Sequence, residues 1–289
     1  MKINNFFIAT LLSAIFLSAS CAQKNDNTGD TAVTANDNVV RILAIGNSFS
    51  EDALDTYFHD VCEAAGKKVI VGNLYIGGCP IDRHMLNADT DSAAYRFRRI
   101  GLNGDIIEAN NIRLSSAIGS DTWDFVTFQQ ASGVSGKYGT YANLKPLIYY
   151  VDSLTDDNTR FAWHQTWAYS VDSKHGEYPN YESNQKVMYD SIMAASSRAI
   201  ADNPELTVVI PSGSAVQIAR EKSGNYDLTR DGYHLDYILG RYIAACTWFE
   251  ALFGESVVDN KFVPEGLTPG EARLAREAAH EANLNPFGK

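Results

Sequence analysis

Cysteine is scarce in this chain, and the little there is forms no pattern. Four cysteines occur in 289 residues, and no two are spaced as CxxC. If Cys21 is spent on an N-terminal anchor, Cys62, Cys79 and Cys246 remain, an odd number that supports neither a disulfide framework nor a zinc site. Cys62 and Cys246 fall in apolar helical patterns and read as small core residues, whereas Cys79 sits in a Gly-rich turn. Positive charge is also short: 24 Lys and Arg against 35 Asp and Glu give a formal charge of −11. Phosphate binding needs clustered cations, and the longest basic cluster here is only Arg96-Phe97-Arg98-Arg99, so nucleic acid is an unfavoured partner. No internal repeat is visible. The longest apolar run, 6–17, is shorter than the ~20 residues a membrane span requires.

That run does have a reading. Lys2, the apolar stretch 6–17 and then Ser18-Ala19-Ser20-Cys21 resemble a bacterial lipoprotein signal, in which the Cys is acylated after cleavage. The expectation is a signal over 1–20, lipidation of Cys21, and a flexible spacer over 21–38 rich in Asn, Asp and Thr. The protein would then be exported and tethered to the cell envelope by lipid rather than by a spanning helix.

From Val39 onward the chain is patterned for a core, with 45% of all residues hydrophobic. Short apolar or β-branched runs at 39–45, 68–75, 123–129, 160–166 and 206–211 read as strands. Helical spacing at 52–65, 113–118, 141–154, 182–201 and 235–253 separates or follows them, and Thr268-x-x-Glu271 opens a last helix to about 283. Asn103-Gly104 marks a hairpin over 95–108, expected as an excursion from the main sheet. Alternating strands and helices without a linker predict one α/β domain over 39–289, three layers deep, around a five-stranded parallel sheet.

Open parallel sheets collect ligands at the carboxyl ends of their strands. Gly46-Asn47-Ser48 follows the first strand, Gly77-Gly78 the second and Gln129-Gln130-Ala131-Ser132-Gly133 the third; Asp231-Gly232-Tyr233-His234 lies beyond the fifth. A hydroxyl, two glycines, two carboxamides and an Asp/His pair on one rim are the parts acyl transfer needs. Ser48 could equally be a helix cap, and Asp231 a cap followed by a surface His. Asp231, His234 and Asp236 lack further ligands at metal-binding spacing, so no metal or other cofactor is expected.

At these residues the chain resembles the SGNH/GDSL hydrolases, whose blocks are Gly-Asp-Ser, a later Gly, Gly-x-Asn-Asp and a C-terminal Asp-x-x-His. Here they read Gly46-Asn47-Ser48, Gly77-Gly78 and Asp231-Gly232-Tyr233-His234; with Phe128-Gln129-Gln130-Ala131-Ser132 and Gly240-Arg241-Tyr242 they look like a branch common in gut Bacteroidetes. The resemblance implies a flavodoxin-like fold with Ser48 as nucleophile, His234 as base and then acid, and Asp231 as its orienting carboxylate. It also implies an oxyanion hole from the backbone N–H groups of Ser48 and Gly78. The third-block Asn has no counterpart, so Gln130, or alternatively Gln129, would replace it.

Asn47, Trp163 and Trp167 are expected to border the substrate, with His175, Tyr178 and Tyr181 in a polar loop nearby, although core packing is an equal reading for the tryptophans. The expected activity is a serine esterase removing acetyl or another short acyl group from carbohydrate. Its partner would be a small-molecule or glycan ester, with no obligate protein partner. The alternatives are a lipase or thioesterase for longer acyl chains, and a glycan-binding protein that kept the fold without turnover.

Overall fold

The run predicted at 39–45 forms β1 (Val39–Gly46), and it lies in the middle of the sheet because both its faces are apolar and both are covered. In the computed structural model, which describes residues 38–288 except Asn225, the strand order is β4-β3-β2-β1-β5-β6-β7. β2 (Lys68–Tyr75) and β5 (Phe125–Phe128) flank β1 in parallel, and β6 (Arg160–His164) and β7 (Leu206–Ile210) continue in parallel beyond β5.

The expectation of a five-stranded parallel sheet is corrected to a seven-stranded mixed one. The hairpin is part of the sheet: β3 (Tyr95–Ile100) pairs antiparallel with β2, and β4 (Ile106–Ile112) with β3. Its arginines hold it down. Arg96 pairs with Glu51, Arg98 lies 3.6 Å from Asp55, and Arg99 pairs with Asp121.

Alternate residues of each strand feed opposite cores. Ile42, Ala44, Val71 and Ile210 join one cluster with α1 (Ser48–Leu54), α2 (Phe58–Ala64), α7 (Ser212–Lys222), α8 (Leu239–Phe253) and α9 (Pro269–Leu284). Leu43, Ile45, Leu74 and Phe128 join the other, with α3 (Ile81–Asp89), α4 (Leu114–Ile118) and α5 (Leu144–Asp152). The long helix α6 (Gln185–Asp202) contributes Met188 and Ile192 to the first and Ala195 and Ala199 to the second. The result is three layers, and the described residues form one compact unit.

Two helix boundaries differ from the sequence expectation for local reasons, and a third agrees with it. The single helix expected at 52–65 breaks after Leu54, where Asp55 turns inward to accept a hydrogen bond from Asn73. α8 starts at Leu239 rather than at 235, because Asp236 caps it by accepting from the N–H groups of Ile238, Leu239 and Gly240. α9 carries the capping box that Thr268 and Glu271 predict. No helix among the described residues is long and apolar enough to cross a membrane. The signal over 1–20, Cys21 and the spacer up to residue 37 lie outside the described residues.

Candidate active site

The nucleophile candidate stands where β1 ends. Asn47 is the N-cap of α1, its Oδ1 accepting from Phe49 N–H at 3.0 Å, and Ser48 is the first helical residue, partly exposed. Gly46 has to be glycine here: a Cβ would stand 2.3 Å from Ser50 Oγ. The β2 turn is held against this corner, since Ile76 N–H donates to Gly46 O and Asn47 Nδ2 donates to Cys79 O at 3.2 Å. Within that turn Gly77 and Gly78 are exposed; Gly78 has φ +60°, the left-handed region, and open space where a side chain would be.

Asp231 and His234 form a closed unit. His234 Nδ1–H donates to Asp231 Oδ2 at 2.7 Å, while Asp231 Oδ1 accepts from the backbone N–H of His234 at 2.8 Å and of Tyr233 at 3.2 Å. Partial burial raises the Asp231 pKa, but the His234 and backbone hydrogen bonds outweigh it and leave the carboxyl below its usual value. With Nδ1 occupied, Nε2 is the free basic nitrogen.

The loop bearing this pair is fastened to the nucleophile helix by one carboxylate. Asp52, fully buried on α1, accepts from Leu235 N–H at 2.9 Å, Arg230 Nη1 at 2.9 Å and Arg241 Nη2 at 2.7 Å. A slab of rings supports the same junction. Phe49 stacks on Trp167 at 4.0 Å, Trp167 Nε1–H donates to Tyr233 O at 2.8 Å, and the His234 ring meets Phe49 edge-on at 6.2 Å. Ser48 and His234 are therefore brought to one corner of the molecule, although no hydrogen bond joins them directly among the described residues. Tyr233 lies 4.1 Å from the His234 ring, and His175 and Tyr169 continue the aromatic group at 4.6 and 5.7 Å from Tyr233.

The roles expected of five residues are corrected. Gln130 is not free to donate to an oxyanion: its Nε2 donates to Thr140 O and Oγ1, and its Oε1 accepts from Ile81 and Ala131 N–H, so it ties β5 to α3. Gln129, its alternative, is equally committed, donating to Asn47 Oδ1 at 2.7 Å. Asn47, 1% exposed, spends its whole carboxamide on the turns and is a positioning residue instead of a substrate contact. Trp163 and Trp167 are buried at 1% and 0% exposure, Trp163 donating to Ser196 Oγ in the core and Trp167 lying beneath the catalytic loop.

Sequence reasoning missed a buried relay behind the site. Because Gln129 Nε2 donates to Asn47, its Oε1 accepts from His164 Nδ1–H at 2.8 Å, and His164 Nε2 accepts from Ser212 Oγ–H at 3.0 Å. Burial pulls the His164 pKa down to about 3, so the ring is neutral and this polarity is fixed at physiological pH. A second buried chain runs from Asn47 O through Ser50 Oγ and Asn73 to Asp55.

Burial pushes the Asp55 carboxyl up to about 6, against the lowering effects of the Asn73 hydrogen bond and nearby Arg98. A carboxyl raised in the folded state costs stability once it ionises. The cost grows as pH rises from the unfolded value near 4 to about 6 and is full above that. Asp55→Asn should therefore stabilise the protein by about 2 kcal/mol at pH 8, the net penalty that the raised pKa implies, and by nothing at pH 4. Urea midpoints at the two pH values check this; a variant less stable than the parent at pH 8 contradicts it.

His59, Asp60 and Glu63 place ligand-type atoms within 4.8 Å of one another. They are a partly exposed group on α2.

A family model described as "Domain of unknown function (DUF4886)" matches residues 41–282. A crystal structure of a DUF4886 family protein from Bacteroides uniformis is 41% identical, with a TM-score of 0.85 over 87% of this chain and 96% of that one. A candidate GDSL-like lipase from Parabacteroides merdae shares the fold at 15% identity, with a TM-score of 0.51 over 75% of this chain and 96% of that one. No curated protein matches the sequence. With nearly the whole folded region matched by the family model, the chain belongs to the DUF4886 family.

Proposed function

We propose that the protein is a serine esterase of SGNH type, acting on short acyl esters of carbohydrate. The observation that carries this is the Asp231–His234 pair, held by Asp52 and the Phe49–Trp167 slab at the corner where Ser48 begins α1. In the first half-reaction Ser48 Oγ attacks the ester carbonyl carbon while His234 Nε2 takes the hydroxyl proton, and Asp231 stabilises the imidazolium that forms. The backbone N–H groups of Ser48 and Gly78 face the developing oxyanion. Collapse of the tetrahedral intermediate breaks the C–O bond, and His234 returns the proton to the leaving alcohol. Water, deprotonated by His234, then attacks the acyl-Ser48 ester and releases the carboxylic acid and the free serine.

The aromatic group of Tyr233 and His175 beside His234 supports a sugar as the alcohol part, since rings offer stacking faces to sugar C–H surfaces. The lipoprotein-like N-terminus supports a place on the cell envelope, tethered through Cys21, where glycan esters are accessible.

The purified protein should hydrolyse p-nitrophenyl acetate faster than the octanoate ester and be labelled by a fluorophosphonate probe at Ser48. Ser48→Ala should abolish both properties. A folded protein that neither labels nor turns over would overturn the assignment, and faster octanoate hydrolysis would replace the short-acyl reading by a lipase.

A further inference from the structure

A cavity of about 150 Å³ lies where the last turn of α7 meets the 170–172 loop and the start of α6. Its walls include Ser170, Asp172, Gln185, Arg220, Tyr226 and Asp227. Arg220 is 3% exposed; its Nη1 donates to Ala168 O at 3.0 Å, and its buried Nη2 has no hydrogen-bond partner among the described residues. No carboxylate among the described residues comes within 4.0 Å of this guanidinium; Asp227 acts on its charge only through space, and each nearby acid has one oxygen committed. Asp227 Oδ1 accepts from Thr229 N–H and Oγ1, and Asp172 Oδ1 accepts from Ser170 Oγ. A buried guanidinium N–H without an acceptor, its charge met only at a distance by Asp227, is costly unless something supplies an acceptor at contact.

The rest of the wall narrows what that something is. Asp172, Asp227 and Gln185 offer acceptors suited to hydroxyl groups, and Tyr226, 53% exposed, offers a ring face. The cavity has room for one small ring and not for a chain of residues. It also backs directly on the catalytic loop, because Ser170 N–H donates to Gly232 O at 2.9 Å, between Asp231 and His234.

We propose that this cavity binds a carboxylate-bearing sugar unit, a uronate, with its carboxylate on Arg220 Nη2, its hydroxyls toward the two acids and its ring against Tyr226. The site stands whether or not the esterase reading does, so binding is measured on the catalytically silent Ser48→Ala protein. Calorimetric titration with sodium glucuronate should show binding, and glucose, which lacks the carboxylate, should show none. Arg220→Gln should weaken glucuronate binding at least tenfold, and Tyr226→Ala, at an exposed position, should weaken it several-fold. If Arg220→Gln does not fold, Tyr226→Ala and Gln185→Ala carry the test. Absence of glucuronate binding, or binding indifferent to the variants that fold, would overturn the proposal. Acetate binding as tightly as glucuronate would overturn the sugar assignment.

Discussion

Asp231→Asn should lower kcat for p-nitrophenyl acetate by about 10³-fold at pH 7 while leaving the melting temperature unchanged. The two halves of that expectation come from the two oxygens of one carboxylate. Oδ1 shapes the loop by accepting from the N–H groups of His234 and Tyr233, and an asparagine keeps that oxygen. Oδ2 accepts from His234 Nδ1–H, and there the asparagine presents an NH₂ group. A donor facing Nδ1 forces the ring proton to Nε2, the nitrogen that must be empty to receive the Ser48 proton. Asp231→Ala should cost activity less severely at the chemical step, because the ring then chooses its tautomer, but should loosen the loop and lower the melting temperature. Steady-state kinetics and thermal denaturation of both variants decide the matter. Full activity in Asp231→Asn would mean that the ring is oriented by something else.

Part of this candidate site is legible in the sequence, for a physical reason. Ser48 lies at the end of an apolar strand, and strand ends in a parallel sheet converge on one rim. Asp-x-x-His is a local pairing that needs only a loop to close. Illegible features were those set by partners far off in the chain. Asp52 reads as a helix-cap residue, yet it binds Arg230 and Arg241 across 178 and 189 positions. Gln130 reads as a free donor after β5 until α3 is seen to hand it Ile81 N–H, and α3 itself was missed because His84 and Asn87 make up half of its buried face. α7, built from small residues and buried on nearly every side, shows no stripe at all. Trp163 and Trp167 at a strand end could face substrate or core. Burial decides for the core, and Trp167 still reaches the chemistry through the ring it stacks on.

Asp52→Ala should be the most damaging change outside the catalytic residues, costing about 3–5 kcal/mol and lowering the melting temperature by about 10 °C. The carboxylate is fully buried, so its removal leaves two guanidinium groups and the Leu235 N–H without their shared acceptor. Activity should fall further than stability explains, since Leu235 is the residue after His234 and its tether to α1 is what fixes the imidazole relative to Ser48. The two effects can be separated. Buried ion pairs are often replaceable by apolar groups of similar volume without loss of stability, because the desolvation cost disappears with the charges. The triple variant Asp52→Leu, Arg230→Met, Arg241→Met should therefore recover most of the lost melting temperature. It should not recover turnover, because leucine cannot accept from Leu235 N–H. A triple variant that regains both stability and activity would show that Asp52 serves only the fold; one that regains stability alone makes it the hinge pin between the nucleophile and its base.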